Sequence, residues 1–268
     1  MMELVEPAPA KLNLALHVRG KLPDGRHRIE TIFAFCTDGD RLAVTPADDL
    51  SLKISGPFVS DLGSSDENLA LRAAQALQER AGVKGGAALA LTKNLPVASG
   101  IGGGSADAAA TLRLLTRLWA IDPKHAAAIA PTLGADVPAC LLSMTARGDG
   151  AGDDLQLTDA GVSGKPVLLI NPRVEVSTRE VFARWNGEDK GSLDDWRDGR
   201  NDLEPIATAM VPLVGAVLAW LSVQQGAEVV RMSGSGATCF ALFDSEEARD
   251  AASVAVPREW WKLATYLR

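Results

Sequence analysis

The chain has 268 residues, of which 47% are hydrophobic and 23% charged, and a formal net charge of −7. That length can bury a sizeable core in one large domain or two small ones, and the composition excludes a largely disordered chain. The acidic balance disfavours nucleic acid or an anionic membrane surface as the main partner, so any phosphate site must be a local feature.

Cys36, Cys140 and Cys239 lie far apart in apolar runs without a C-x-x-C pair, which argues against a disulfide framework or a structural zinc site and fits a reduced cytoplasm. No apolar run approaches the length of a membrane span, and the first ten residues, with two glutamates and two prolines, are unlike a signal peptide.

In chain order, Lys11 to Arg19 alternates as a strand, with Leu12, Leu14, Leu16 and Val18 on a core face and Lys11, Asn13, Ala15 and His17 on a face left available. After the turn Pro23-Asp24-Gly25, the segment Ile29 to Thr37 pairs back as a second strand. Arg41 to Thr45 and Leu50 to Ser55 read as a further meander. Asn68 caps a helix ending at Gly82, and a strand from Ala87 to Thr92 follows.

The central stretch is Leu95-Pro96-Val97-Ala98-Ser99-Gly100-Ile101-Gly102-Gly103-Gly104-Ser105-Ala106-Asp107, which runs into a helical pattern from Ala106 to Trp119. Closely spaced glycines let the backbone turn tightly and expose its N–H groups, and the helix adds four unpaired donors and the positive end of its dipole. This favours an anion site over a flexible linker. It is not a P-loop, because no lysine follows the glycines. It is not a dinucleotide fingerprint either, because Ser105 stands where the last glycine should be.

Beyond it, Asp122-Pro123 starts a short helix closed by Pro131, and Leu133-Gly134-Ala135-Asp136-Val137-Pro138 is a turn holding one carboxylate. The Gly/Asp-rich segment Thr145 to Gly164 is the candidate boundary, dividing the chain into 1–155 and 156–268. Pro166 to Asn171 is a buried-type strand, while Val181 to Gly199 shows no readable pattern. Asn201-Asp202-Leu203-Glu204 caps a helical region broken at Pro205 and Pro212. The tail reads strand, turn Ser233-Gly234-Ser235-Gly236, strand, helix from Ser245, and a last strand near Trp261 to Leu267, a small α+β arrangement.

Lys11, the glycine loop, Asp136 and the Ser233 to Gly236 turn stand apart from the core pattern. Together they would supply a cation, a phosphate cradle and a carboxylate, the parts that phosphoryl transfer requires. Each also has a plainer reading: Lys11 as a solvated strand lysine, Asp136 as a turn cap, Ser233 to Gly236 as a hairpin turn, and Asn68 as a helix cap. His27 is the histidine best placed to meet a ligand. No histidines sit at metal-ligand spacing, and no G-x-S-x-G elbow is present.

The ordered set Pro9-Ala10-Lys11-Leu12-Asn13-Leu14, Pro96 to Ala109, Leu133 to Pro138 and Met232 to Ala237 resembles the motifs of the GHMP kinase superfamily over nearly the whole chain. The Asp24-Gly25-Arg26-His27 turn and the Asn201 to Glu204 cap are similar to those of its branch acting on a cytidine-diphosphate-linked methylerythritol in the non-mevalonate isoprenoid pathway. Homoserine and mevalonate kinases, or a non-catalytic ligand-sensing relative, are the alternatives.

The resemblance implies a two-domain α/β (α+β) kinase, with an N-terminal domain like ribosomal protein S5 domain 2, a ferredoxin-like C-terminal domain and the active site in the cleft between them. It implies ATP held by Pro96, Val97, Ala98, Ser99, Gly100, Ile101, Gly102, Gly103, Gly104, Ser105 and Ala106, with Asn68 on the adenine and Ser105 also reaching Mg²⁺. Asp136 is then the general base at the C2 hydroxyl, Lys11 orients it and neutralises the transferred group, and Asn13, His27 and Phe182 hold the cytidine diphosphate. Ser233, Gly234, Ser235 and Gly236 form a supporting turn. The partners implied are ATP and the small alcohol, with monomer and homodimer both open. Two departures from the family pattern are Arg26, where an aromatic residue is usual, and Asp149-Gly150-Ala151-Gly152-Asp153-Asp154, where x-Gly-Glu is common.

Overall fold

The structure, a computed structural model, describes residues 3–62 and 68–268. The chain folds as two compact units, each assembled from several stretches of sequence: residues 1–10, 38–97 and 102–143 form one, and residues 11–37, 98–101 and 144–268 form the other. Two long strands, β1 (Leu4–Lys21) and β2 (His27–Ala47), pair with each other and contribute to both units.

In the first unit, residues 41–47 of β2 pair antiparallel with β4 (Gly86–Thr92), and β3 (Leu50–Ser55) lies parallel to β4. The expected meander is therefore corrected: residues 41–45 continue β2, and β3 pairs with β4. Turn-like residues hide this continuation. Gly39 stands mid-strand because a Cβ there would run into the backbone of Ala8 and Pro9, a close approach that only glycine allows.

Four helices complete this unit: α1 (Leu69–Ala81), α2 (Gly103–Leu118), α3 (Pro123–Leu133) and α4 (Val137–Leu142). Asn68 caps α1 by accepting from the Ala70 N–H at 2.9 Å, and Gly82 ends it in the left-handed conformation. Asp122 caps α3, but Pro131 lies inside that helix instead of closing it. The turn expected at residues 133–138 becomes the start of α4, with Asp136 at its N-cap position. Helix α2 packs on α1, α3 and α4, and its alanines at 106 and 108–110 are fully buried, small enough for that close approach.

In the second unit, residues 31–33 of β2 pair with β5 (Ala146–Asp149), which forms a hairpin with β6 (Asp154–Leu157). The Gly/Asp-rich segment is thus partly strand. A four-stranded antiparallel sheet runs β10 (Trp261–Tyr266), β7 (Pro166–Asn171), β9 (Cys239–Phe243), β8 (Ala227–Met232), as the tail pattern predicts. It carries α5 (Thr178–Ala183), α6 (Glu204–Met210), α7 (Pro212–Ser222) and α8 (Glu246–Ala255). Pro205 and Pro212 fall at helix starts, where their missing N–H costs nothing. Leu16, Val18 and Ile29 join Leu168, Ile170 and Phe243 in one apolar core.

The available face expected on β1 is corrected too. Lys11, Asn13, Ala15 and His17 are all buried, at 3% exposure or less. Alternation in a sequence reports which residues share a face and not whether the second face is also covered.

Candidate phosphate-binding site

Within the second unit, two glycine turns meet backbone to backbone. Gly100 adopts φ +77°, and a Cβ on it would lie 2.6 Å from the carbonyl oxygens of both Ser233 and Gly236. Ser233 Oγ donates to the Gly100 carbonyl at 3.1 Å and accepts from the Asn13 N–H at 3.2 Å. The Thr238 N–H donates to Ser99 O, and the Lys11 N–H donates to Ile101 O at 2.9 Å. Ser235 shares a hydrogen bond with Thr178 at 2.8 Å. Ser233 to Gly236 is therefore the β8–β9 hairpin turn and also a brace for the first glycine loop.

Lys11 is 2% exposed, so the solvated-lysine reading fails. Its Nζ donates to Asn13 Oδ1 at 2.9 Å and lies 5.3 Å from the centre of the Phe33 ring. Asn13 Nδ2 donates to Thr31 Oγ1 at 2.8 Å, and that hydroxyl donates to Ala15 O. The chain Lys11–Asn13–Thr31 fixes the amide orientation, because Thr31 spends its proton on a carbonyl. The Asn201-Asp202 pair does not cap α6 as expected: Leu203 holds the N-cap position without a side-chain bond, and the pair braces remote backbone instead. Asn201 Nδ2 donates to Met232 O and Gly234 O, both at 2.8 Å, while Asp202 accepts from the Val18 N–H at 2.8 Å.

His27 and Phe182 do come together, with ring centres 4.9 Å apart, and Trp185 adds an edge-on contact to His27 at 5.5 Å. Sequence reading missed Trp185. Burial, with the nearby Lys21 charge, lowers the His27 pKa, so the ring is neutral at pH 7. Its Nε2 is buried without a hydrogen bond among the described residues. The two departures from the family pattern also meet: the exposed Arg26 guanidinium pairs with Asp24 at 2.8 Å and with Asp153 at 3.3 Å.

Within the first unit, Gly102 adopts φ +65° as the N-cap of α2, and Gly103 and Gly104 form its first turn. Helix α2 thus starts three residues earlier than the pattern predicts. Open space faces Gly104, where a Cβ would meet nothing within 4 Å, so the N–H groups of this turn can be approached by a ligand. Asp136 does not cap α4 with its side chain.

A second feature of this unit escaped sequence reading. Lys93, Asp40 and Asp107 are each 2% exposed. Lys93 Nζ donates to Asp40 Oδ2 and, at 2.9 Å, to Asp107 Oδ2. Burial disfavours the Lys93 ammonium, but Asp107 and Asp40 outweigh it and raise its pKa. Burial pushes the Asp107 carboxyl up to about 7, against the pull of Lys93. The only sequence signal was an aspartate embedded among the buried alanines of α2.

Comparison with known proteins adds the family. The model "GHMP kinases N terminal domain" matches residues 68–144, and "GHMP kinases C terminal" matches residues 188–263. Together with a two-unit mixed fold and a glycine-led helix N-terminus, these matches place the chain: it belongs to the GHMP kinases, which use ATP. It is 50% identical to a 4-diphosphocytidyl-2-C-methyl-D-erythritol kinase of Rhizorhabdus wittichii, over 100% of this chain and 96% of that one. It is also similar to the crystal structure of a 4-(cytidine 5'-diphospho)-2C-methyl-D-erythritol kinase, with a TM-score of 0.83, 34% identity and 99% of each chain covered. A homoserine kinase from Cytophaga hutchinsonii has a TM-score of 0.70 at 17% identity, covering 99% of this chain and 95% of that one, which is a likeness of fold alone.

Proposed function

We propose that this chain transfers the γ-phosphoryl group of ATP to the C2 hydroxyl of 4-diphosphocytidyl-2-C-methyl-D-erythritol, a step in non-mevalonate isoprenoid synthesis. The observation that carries this reading is the 50% identity over the full chain with a kinase of that name. The role of each residue is proposed with it.

The stretch Pro96, Val97, Ala98, Ser99, Gly100, Ile101, Gly102, Gly103, Gly104, Ser105 and Ala106 holds the ATP phosphates on backbone N–H groups. The open space at Gly104 supports this. Asn68 serves the adenine in addition to capping α1. Asp136 accepts the proton of the C2 hydroxyl as its oxygen bonds to the γ-phosphorus and the bond to the β-phosphate oxygen breaks, releasing ADP. Lys11, whose Nζ donates to Asn13 Oδ1, neutralises charge on the group in transfer. His27 and Phe182 take the cytosine and Asn13 the polar part of that substrate, with Ser233, Gly234, Ser235 and Gly236 as the brace.

Among the described residues no cluster of three or more His, Cys, Asp or Glu side chains could hold a metal. A donor set of one hydroxyl, Ser105, fits an ion that arrives on the nucleotide and keeps its water, as Mg²⁺ does. When bound it supplies charge neutralisation on the phosphates. The division at 155/156 is proposed only as a boundary between the two family matches, which fall on its two sides; the compact units themselves interleave across it. Among the described residues no helix is long and apolar enough to cross a membrane. Cys36, Cys140 and Cys239 are buried thiols outside any disulfide, which supports a cytoplasmic site of action.

A coupled ADP-release assay with the cytidine-diphosphate alcohol, mevalonate and homoserine tests class and substrate together. Turnover confined to the first alcohol is the expected result. Preferential turnover of mevalonate or homoserine would replace the substrate assignment, and ATP use with none of the three would end it.

A further inference from the structure

The buried cluster of Asp40, Lys93 and Asp107 spans the two ends of the glycine-rich stretch. At the entry, Asp40 Oδ1 accepts the N–H groups of Asn94 at 2.5 Å and Leu95 at 2.8 Å, and Asn94 Nδ2 donates to Gly39 O at 3.1 Å. At the exit, Asp107 sits in the second turn of α2 and accepts from Lys93 Nζ at 2.9 Å. Lys93 joins the two by donating to Asp40 Oδ2 as well. Gly103, the first residue of α2, rests on the cluster: a Cβ there would lie 3.0 Å from Lys93 Nζ and 3.7 Å from Asp40 Oδ2.

Two carboxylates and one ammonium out of water are weak stabilisers, because desolvation offsets much of their attraction. Asp107 Oδ1 makes no hydrogen bond among the described residues, a further cost that an apolar core would not carry. What the cluster provides is geometry. Four charge-assisted bonds, two from Lys93 Nζ and two from the N–H groups of Asn94 and Leu95, fix the distance between residues 94–95 and the first turns of α2, and with it the direction in which the N–H groups at residues 102–105 point.

We propose that Asp40, Lys93 and Asp107 are positioning residues for phosphoryl transfer, a clamp that ties the two ends of the glycine-rich stretch together and so presets its grip on the nucleotide phosphates. The proposal rests on the reading of that stretch as the ATP-phosphate cradle. None of the three touches substrate; they act through the backbone they hold. Asp107→Ala is the informative cut, because it leaves Lys93 and Asp40 as a charge-balanced pair, whereas removing Lys93 would leave two buried carboxylates without their cation.

The test measures KM for ATP, KM for the alcohol, kcat and the thermal midpoint for the parent, Asp107→Ala and Asp107→Asn. Misplaced donors should raise the KM for ATP by about tenfold or more in Asp107→Ala, with the KM for the alcohol within about twofold of the parent. In Asp107→Asn, whose amide oxygen still accepts from Lys93, it should recover to within about threefold. A folded Asp107→Ala with parental KM for ATP overturns the proposal, as does a lowered thermal midpoint with parental kinetics.

Should Asp107→Ala fail to fold, Asp107→Glu decides, since it keeps the charges and lengthens the tie by one methylene. A parental KM for ATP in that variant overturns the clamp, and a raised one with a parental thermal midpoint supports it. Gly104→Val separates the two readings, because a Cβ at this position meets nothing within 4 Å. Normal ATP binding by Gly104→Val removes the cradle itself. Lost binding there beside normal kinetics in Asp107→Ala removes only the clamp.

Discussion

Substituting Gly100 by alanine tests the account of the two glycine turns most directly. An L-residue at φ +77° carries a steric cost of about 1–2 kcal/mol. The new methyl carbon would also sit 2.6 Å from two carbonyl oxygens, those of Ser233 and Gly236. Both are backbone atoms, so relief requires moving the β8–β9 turn and losing the Ser233 Oγ bond to Gly100 O, worth about 1 kcal/mol. The sum is about 2–3 kcal/mol, or a fall of roughly 4–6 °C in thermal midpoint at about 2 °C per kcal/mol for a chain of this size. Gly104→Ala, four residues on, is the control. Its methyl group enters open space in the first turn of α2, and replacing a helical glycine should change the stability by about 0.5–1 kcal/mol in the favourable direction. Melting both variants by circular dichroism decides the matter. Equal losses in the two, or a Gly100→Ala variant that melts with the parent, would refute the argument, because a stretch that is merely sensitive to any change would not distinguish the positions.

Asp136→Asn should leave the KM for ATP near the parent value and lower kcat by about 10² or more, as expected for loss of a general base; preserved turnover returns Asp136 to the role of a helix-start residue. Lys11→Ala should lose activity at comparable magnitude while keeping its far-UV spectrum, and a fully active variant would strip Lys11 of its charge-neutralising role. His17 predicts a pH dependence. Its Nδ1 donates to Gly191 O at 3.1 Å and its Nε2 accepts from the Arg200 N–H at 3.3 Å, which requires the neutral ring. Burial lowers its pKa below the ordinary 6.5. The stability it contributes is therefore full above pH 6.5 and is lost as the pH falls through the lowered folded-state value. The difference in thermal midpoint between the parent and His17→Asn should shrink from pH 8 to pH 5, and a constant difference would contradict the assignment.

Local signals in the sequence translated well into structure where a single residue type does the work. Asn68, Asp122 and Ser245 cap the helices that they announce, and Gly82 ends α1. The strand, turn, strand, helix, strand order of the tail is realised because each piece carries its own period. What failed was whatever depends on remote partners. The polar face of β1 looked open because nothing near Lys11, Asn13 or His17 in sequence reveals Ser233, Thr31 or Gly191. β2 looked interrupted because Asp38, Gly39 and Asp40 resemble a turn, yet Asp40 serves the backbone of residues 94 and 95, and Gly39 admits a neighbouring strand. Pro131 read as a stop, but the helix tolerates it near its last turn. As residues that stand apart from the core pattern, the glycines and Lys11 were legible from type and order. Trp185, Asn201 as a brace, and the Asp40–Lys93–Asp107 cluster were not, since each acts on a segment tens of residues away or more.

The division of the chain into interleaved units sets an order of events during synthesis. The first unit has all of its stretches once residue 143 has been made. The second cannot close until β7 to β10 exist, because Leu16, Val18 and Ile29 share a core with Leu168, Ile170 and Phe243. Residues 11–37 must therefore wait, with their apolar side chains unsatisfied, while more than a hundred further residues are added. That interval is when a nascent chain of this design is most exposed to aggregation and to proteases. A cut made between residues 143 and 166 would reproduce it permanently, separating two halves of one core.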